Sequence, residues 1–364
     1  MSSPIPRRPE DVTPAWLGGV LGADVLSVGT APIGTGQTGA TYRLAVQYGA
    51  ETDLPASFAI KLPSQDDTVR DRVAIGYRSE HAFYHNVADL VQIPIPRSFH
   101  CEIGGDGAEF VLLLADMAPA EQGDQIAGCS AAEAQLAVRA LAGLHAPSWC
   151  EPKLTDFPGI AMPKPDAGMA SGMGDVAKMA TGITLDKLGD RMTAEDRATL
   201  SESMSMVTPW LLTEPDRFAL LHGDYRLDNM LFDPGRTRVT VVDWQTLGVG
   251  LPARDLAYFT ATSLAPEVRS EIEQDLVRRY HEALLGYGVT DYDAETCWRD
   301  YRLGVIQAPL ITGLGFAFAA STERGDEMIL TMLHRGCRAI QELETLALIG
   351  SYQSTANYPK WHHA

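Results

Sequence analysis

Leu221-His-Gly-Asp-Tyr-Arg-Leu-Asp-Asn-Met-Leu-Phe232 is the stretch on which the reading of this chain turns. It has the form H-x-D-x-x-x-x-N, with His222, Asp224 and Asn229 at the fixed places. Asn229 to Phe232 reads as a strand, Asp233-Pro-Gly235 as a turn, and Arg238 to Val242 as a returning strand followed by Asp243. Folded as a hairpin, the segment brings Asn229 near Val242 and Asp243 at its open end. Two oxygen ligands then converge on one point, which suits Mg²⁺. Asp224 lies one short turn away, placed to orient an attacking hydroxyl or to accept its proton. These are the side chains that metal-assisted phosphoryl transfer requires. His222 reads as a hydrogen-bonding support of the loop rather than a base. Asp228 is either an exposed surface charge or a helper to the metal.

Upstream, Gly34-Thr-Gly36-Gln-Thr-Gly39 is a literal G-x-G-x-x-G. In a dinucleotide fold it would open a helix. Here an alternating Ala-Thr-Tyr-Arg-Leu-Ala-Val follows, so it sits between two strands. It is then either a turn whose backbone N–H groups cover phosphates or an ordinary glycine-rich hairpin. Phe58-Ala-Ile-Lys61 matches three of the four letters of the kinase V-A-I-K strand. Strand alternation sets Ala59 and Lys61 on one face, with Ala59 under an adenine ring and Lys61 toward the phosphates. Phe58, Ile60 and Leu62 take the other face. The competing reading is a solvated lysine at a strand end. Glu80 shares a helical face with Phe83, Tyr84 and Val87, and an inward carboxylate needs a partner. Lys61 is the natural one, with Glu102 and Glu109 competing for it.

The rest of the chain is compatible with two lobes. At 364 residues and 45% hydrophobic composition it can build a sizeable core. A net charge of −18 without basic clusters argues against nucleic acid as a partner. Five scattered cysteines without a C-x-x-C pair point to reduced thiols in the cytoplasm. The acidic residues that follow Arg7 and Arg8 argue against a signal peptide. The apolar stretch from Leu303 to Ala320 contains Gln307, Pro309 and Thr312. It reads as a buried helix pair broken near Pro309, not as a membrane span.

The expected order is a helix at Trp16–Leu21, strands between Leu26 and Val46 and at Ser57–Leu62, a helix at Asp71–Leu90 and a strand at Phe110–Leu114. Ser130 and Glu133 have capping-box spacing for a helix running to His145. Residues 151–190, rich in Pro, Gly and Met, read as a long loop with a short helix. One helix is expected at Ala194–Thr213. Helices are expected from Asp255 to Ile349, with a break at Gly286-Tyr-Gly288.

Taken together, Leu221–Asn229, Val241-Val-Asp-Trp-Gln245, Ala253-Arg-Asp-Leu-Ala-Tyr-Phe259 and Leu141-Ala-Gly-Leu-His-Ala146 resemble the aminoglycoside phosphotransferase and choline kinase family. Trp244-Gln245 and the segment after Asp255 lean toward its ecdysteroid-kinase-like and acyl-CoA-dehydrogenase-associated branches. The resemblance covers about Gly34 to Ser263. It implies an α+β, protein-kinase-like two-lobe fold. Residues 1–117 would form a small antiparallel-sheet lobe with one main helix, and 118–364 a larger, mostly helical lobe. Asp224 would be catalytic, Asn229 and Asp243 the metal ligands, and Asp255 a brace for the loop. Leu112 to Met117, including Leu114, would be a hinge that meets adenine through its backbone. The nucleotide would be ATP, with GTP as the alternative.

Only 12 positions separate Asp243 from Asp255, with no Ala-Pro-Glu segment between them. A protein kinase needs an activation loop there. A small-molecule hydroxyl is therefore the expected acceptor, walled by residues 151–190 and the C-terminal helices. Met162, Met169, Met173 and Met179 suit an adaptable, partly hydrophobic surface. A non-catalytic nucleotide-binding protein and a protein kinase are the alternatives. The sequence sets no oligomeric state.

Overall fold

The computed structural model describes residues 4–33, 39–318 and 322–356. Its first part is a five-stranded antiparallel sheet in the order β1-β2-β3-β5-β4. The strands are β1 (Val25–Ile33), β2 (Gly39–Tyr48), β3 (Ser57–Pro63), β4 (Ser98–Gly104) and β5 (Glu109–Ala115). Alternation on β3 sorts its side chains as expected. Phe58, Ile60 and Leu62 are fully buried against Trp16 and Leu17 of helix α1 (Pro14–Leu21). Helix α2 (Asp67–Asn86) covers the opposite face, where its Tyr77 stacks on Phe110 of β5. The Asp66 carboxylate caps α2 by accepting from the Thr68 and Val69 amides.

The second part is mostly helical. A short strand, β6 (Glu121–Gln122), follows the hinge, and then comes α3 (Ala131–His145). The Ser130–Glu133 capping box starts α3 as its spacing predicts. Gly143 brings α3 against Gln92. A Cβ there would lie 2.8 Å from backbone atoms of Gln92 and Ile93, so only glycine allows the approach. This accounts for the glycine in Leu-Ala-Gly-Leu-His.

Residues 151–190 differ from expectation. They contain a 22-residue helix, α4 (Ala167–Leu188), capped by Asp166. Its glycines lowered the apparent helical signal, but one of them, Gly174, serves packing against Thr208. Ala170, Gly174, Ala177, Thr181, Thr184 and Leu188 recur at three- and four-residue intervals and are buried. The predicted helix over 194–213 is also two pieces, α5 (Ala194–Ser205) and α6 (Val207–Leu211).

Four three-residue strands frame the loop of interest: β7 (Ala219–Leu221), β8 (Met230–Phe232), β9 (Val239–Val241) and β10 (Gly248–Gly250). Strands β8 and β9 form the predicted hairpin, with Met230 opposite Val241. The Asp233 carboxylate accepts from the Thr237 and Arg238 amides and closes the turn. The remaining helices are α7 (Ala253–Ser263), α8 (Pro266–Gly286), α9 (Ala294–Gly304), α10 (Gln307–Phe318), α11 (Glu323–Glu342) and α12 (Thr345–Ala356). The break between α9 and α10, at Val305 and Ile306, falls three to four residues before Pro309. The Gly286-Tyr-Gly288 break ends α8 as read. Among the described residues no helix is long and apolar enough to cross a membrane.

Candidate active site

Helix α7 holds the loop that carries Asp224. Asp255 in its first turn is fully buried and accepts from the His222 amide at 2.6 Å and the Gly223 amide at 3.0 Å. His145 of α3 stands beside the same carboxylate, with Nε2 3.5 Å from Oδ2. Gly223 has φ +82, and a Cβ on it would sit 2.2 Å from the Thr246 carbonyl oxygen. Only glycine takes this position without displacing the backbone.

His222 is a cross-brace. Its Nε2 lies 3.1 Å from the Val242 carbonyl, which can only accept, so Nε2 carries the proton. Nδ1 is then the acceptor for the Asp224 amide at 3.3 Å. The ring thereby ties the loop to the strand that ends at Asp243.

The Asp224 carboxylate is held by three donors. Arg226 Nε lies 3.0 and 3.1 Å from its two oxygens. Asn229 Nδ2 donates to Oδ2 at 3.0 Å, and the Tyr258 hydroxyl donates to Oδ1 at 2.6 Å. Asn229 Nδ2 also donates to the Asp224 carbonyl. With the amide nitrogen so used, Asn229 Oδ1 is the acceptor atom of the side chain. Asp228 pairs with Arg226 Nη1 at 2.7 Å and accepts from the Gln125 amide.

Lys61 joins the two lobes. Its Nζ is 2.7 Å from Glu80 of α2 and 3.1 Å from Asp243. Glu102 and Glu109, its other candidate partners, face His100 and Arg7 instead. Burial opposes charge on Lys61, but Asp243 and Glu80 outweigh it and raise its pKa. Burial also pushes the Glu80 carboxyl up, against the pull of Lys61. For Asp243 the balance reverses: burial would raise its pKa, yet the Lys61 ammonium lowers it. Asp243 itself has φ +68, an uncommon backbone state for a side chain other than glycine. The next residue, Trp244, is buried between Phe83 and His222. Ser79 pins the same segment, donating to the Trp244 carbonyl and accepting from the Leu247 amide.

The remaining predicted residues fall around this centre. Ala59 pairs with Leu114 across β3 and β5. In the segment expected to be a hinge, Ala115 N donates to the Arg97 carbonyl, and the Met117 carbonyl accepts from Ala120. The Met117 carbonyl is therefore engaged in its own turn. Gly34 and Gly36 lie outside the described residues, while Gly39 opens β2 opposite Pro63. Met162 packs against Gly223 and Gly248, and Met169 and Met179 are exposed on α4.

Arg226 and Tyr258 were not among the predicted site residues. Arg226 carried a signal, because it is a cation between two acidic positions of the motif. Tyr258 lies three residues after Asp255, one turn along the same helical face. Ser79 gave no signal beyond its place beside Glu80.

The model of the phosphotransferase enzyme family matches residues 32–294, nearly three quarters of the chain. The chain belongs to that family. This phosphotransferase is also similar to acyl-CoA dehydrogenase family member 11 of Gallus gallus, 41% identical over 63 residues, covering 16% of this chain and 8% of that protein. The chain thus spans less than a tenth of the length of that curated relative. Among solved structures it resembles a Ralstonia eutropha protein described as a candidate aminoglycoside phosphotransferase. The TM-score is 0.52 at 16% identity, covering 88% of this chain and 96% of the other. A choline/ethanolamine kinase family protein from Mesorhizobium loti gives 0.50 at 17% identity, covering 88% and 92%. At these identities the two structures establish the kinase-like fold of the phosphotransferase.

Proposed function

We propose that this protein transfers the γ-phosphate of ATP to a hydroxyl group of a small molecule, in a Mg²⁺-dependent reaction. The observation that carries this reading is that Lys61 pairs with Asp243 while His222 ties the segment before Asp243 to the loop on which Asn229 bonds Asp224.

The residues fit a magnesium ion. Asp243 offers a carboxylate that is about one-third exposed, and Asn229 offers its Oδ1. Among the described residues no three His, Cys, Asp or Glu side chains gather around a metal position. Two protein oxygens are nonetheless enough for Mg²⁺, which keeps waters and substrate phosphates as its other ligands. When bound, the ion supplies positive charge beside the phosphates. Lys61, kept protonated by its two carboxylates, adds a second positive charge at the nucleotide.

Asp224 orients the acceptor hydroxyl. The hydroxyl oxygen forms its bond to the γ-phosphorus as the bond to the β–γ bridging oxygen breaks. ADP leaves, and the hydroxyl proton passes to Asp224 and then to solvent. Backbone groups of the hinge at Leu114 to Met117 would hold the base, with Ala59 beneath it. GTP is the alternative donor.

A small acceptor is favoured over a peptide by the segment after Asp243. Ser79 pins it at Trp244 and Leu247, and backbone bonds join Met162 to Leu247 and Val249. Helix α7 begins at Ala253, directly after β10, so there is no long loop for a peptide to lie on. The free cysteines suit a reducing, cytoplasmic setting.

Asp224→Ala separates this reading from a nucleotide-binding protein without activity. Binding of Mg-ATP by calorimetry should persist while phosphate transfer to a panel of amino-alcohol, sugar and sterol hydroxyls is lost. Transfer that survives in Asp224→Ala would overturn the proposal.

A further inference from the structure

Tyr258 comes to Asp224 from outside the catalytic loop, and this sets it apart from the other two donors. Arg226 and Asn229 belong to the same loop as Asp224 and move with it. Tyr258 sits in α7, where every residue from Ala253 to Ser263 is buried. Its ring is 1% exposed, and burial raises its pKa well above the ordinary phenol range, so the hydroxyl remains a donor. The geometry of the bonds differs too. Arg226 shares one N–H between both carboxylate oxygens, at 3.0 and 3.1 Å, and its Nη1 is committed to Asp228 and to the sulfur of Met328. Tyr258 gives an undivided hydrogen bond of 2.6 Å to Oδ1 alone. Hydrogen bonds to a carboxylate are the stronger class, and an undivided donor fixes orientation better than a shared one.

We infer that Tyr258 is a positioning residue for phosphoryl transfer, fixing the Asp224 carboxylate relative to the rigid α7 so that it meets the acceptor hydroxyl in one orientation. The inference rests on the proposed role of Asp224. Without the Tyr258 hydroxyl, every remaining donor to that carboxylate belongs to its own loop. The carboxylate then rotates and shifts with the loop, and the fraction of time in productive geometry falls. Nucleotide binding depends on Lys61, Asp243 and the hinge, which Tyr258 does not touch.

The test is steady-state phosphate release from Mg-ATP with water as acceptor, using the full chain. Wild type, Tyr258→Phe, Asp224→Asn and the double variant are compared. Phenylalanine keeps the ring packing and removes only the hydroxyl. Tyr258→Phe should lower kcat by about 10- to 100-fold, with KM for Mg-ATP changed by less than about twofold. In the Asp224→Asn background, the same change should leave the residual rate unaltered, because the carboxylate that the hydroxyl positions is already gone. An unchanged kcat in Tyr258→Phe, or an equal loss in both backgrounds, would overturn the inference. So would a loss that appears in KM and thermal stability together, which marks packing alone. Wild-type turnover in Asp224→Asn would instead overturn the assigned role of Asp224, and the inference with it. That failure is visible in the single variant.

Discussion

Trp244 lies flat against Phe83, with ring centroids 3.6 Å apart and planes 3° from parallel. Phe83 belongs to α2 and Trp244 directly follows Asp243, so this stack couples the small lobe to the segment that carries the carboxylate proposed to hold the metal. Both rings are fully buried. Phe83→Ala should cost about 3–5 kcal/mol of stability, from lost burial and the cavity left behind. It should also weaken Mg-ATP binding, since Asp243 loses the support next to it. Urea denaturation and calorimetry read the two effects separately. A stable variant would show that the ring is replaceable.

Glu80 leaves Lys61 with one carboxylate when it is neutralised. The pair is buried, and removing one member of such a pair is costly, about 3–5 kcal/mol where the remaining charge stays uncompensated. Asp243 compensates in part, so Glu80→Gln should fall below that range, at about 1–3 kcal/mol. Lys61 should then be drawn wholly to Asp243, and KM for Mg-ATP should rise about tenfold. An unchanged KM would mean that Asp243 alone suffices to place the ammonium.

Gly223→Ala should be severe for a backbone reason. The φ of +82 and the approach of the Thr246 oxygen leave no room for a Cβ. Strain and displacement together should cost about 2–4 kcal/mol. Because Asp255 holds the Gly223 amide, the loop bearing Asp224 shifts as well. Melting temperature and phosphate transfer should fall together.

Asp116 gives a pH-dependent prediction. Burial would raise its pKa, but hydrogen bonds from Arg43, Ser57 and the Ala118 amide lower it. A depressed folded-state pKa contributes stability that is present above the unfolded value of about 3.9 and is lost as pH falls through the folded value. Asp116→Asn should therefore be about 1–2 kcal/mol less stable than wild type at neutral pH. The difference should shrink as pH drops below about 4. A gap that is constant from neutral to acid pH would rule out the charge as its source.

Two glycines of α4 should behave oppositely. Gly182 is exposed, and a Cβ added to it would meet nothing within 4 Å, so Gly182→Ala should stabilise by about 0.5–1 kcal/mol. At Gly174 the same atom would lie 2.1 Å from Thr208 Oγ1. Gly174→Ala should destabilise by about 1–2 kcal/mol as Thr208 is forced aside. Thermal melts of the two variants should move in opposite directions.

The β8–β9 hairpin was legible because its signals are local: a turn sequence between two short apolar runs. The same holds for the alternation of β3 and the capping box of α3. Helix α4 was not legible, because its four glycines weaken its intrinsic propensity, and only one of them, Gly174, is needed to let Thr208 come close. Tertiary packing overrode propensity there. The break between α5 and α6 at Met206 has a local cause: Pro209 cannot donate to the carbonyl of Ser205, four residues back, where α5 ends.

By itself the sequence determined which chemical groups are present and how they are spaced: Asp224 and Asn229 on one loop, Asp243 after a hairpin, Lys61 on a strand and Glu80 on a helix. Spacing along the chain carries that information because strand and helix periods convert it directly into faces. Only the tertiary structure decided what surrounds each group. It set Tyr258 on the Asp224 carboxylate, Trp244 on Phe83, and Lys61 against Asp243 as well as Glu80. These partners are distant in the chain or oriented by helix packing, and no local period fixes where one helix rests against another.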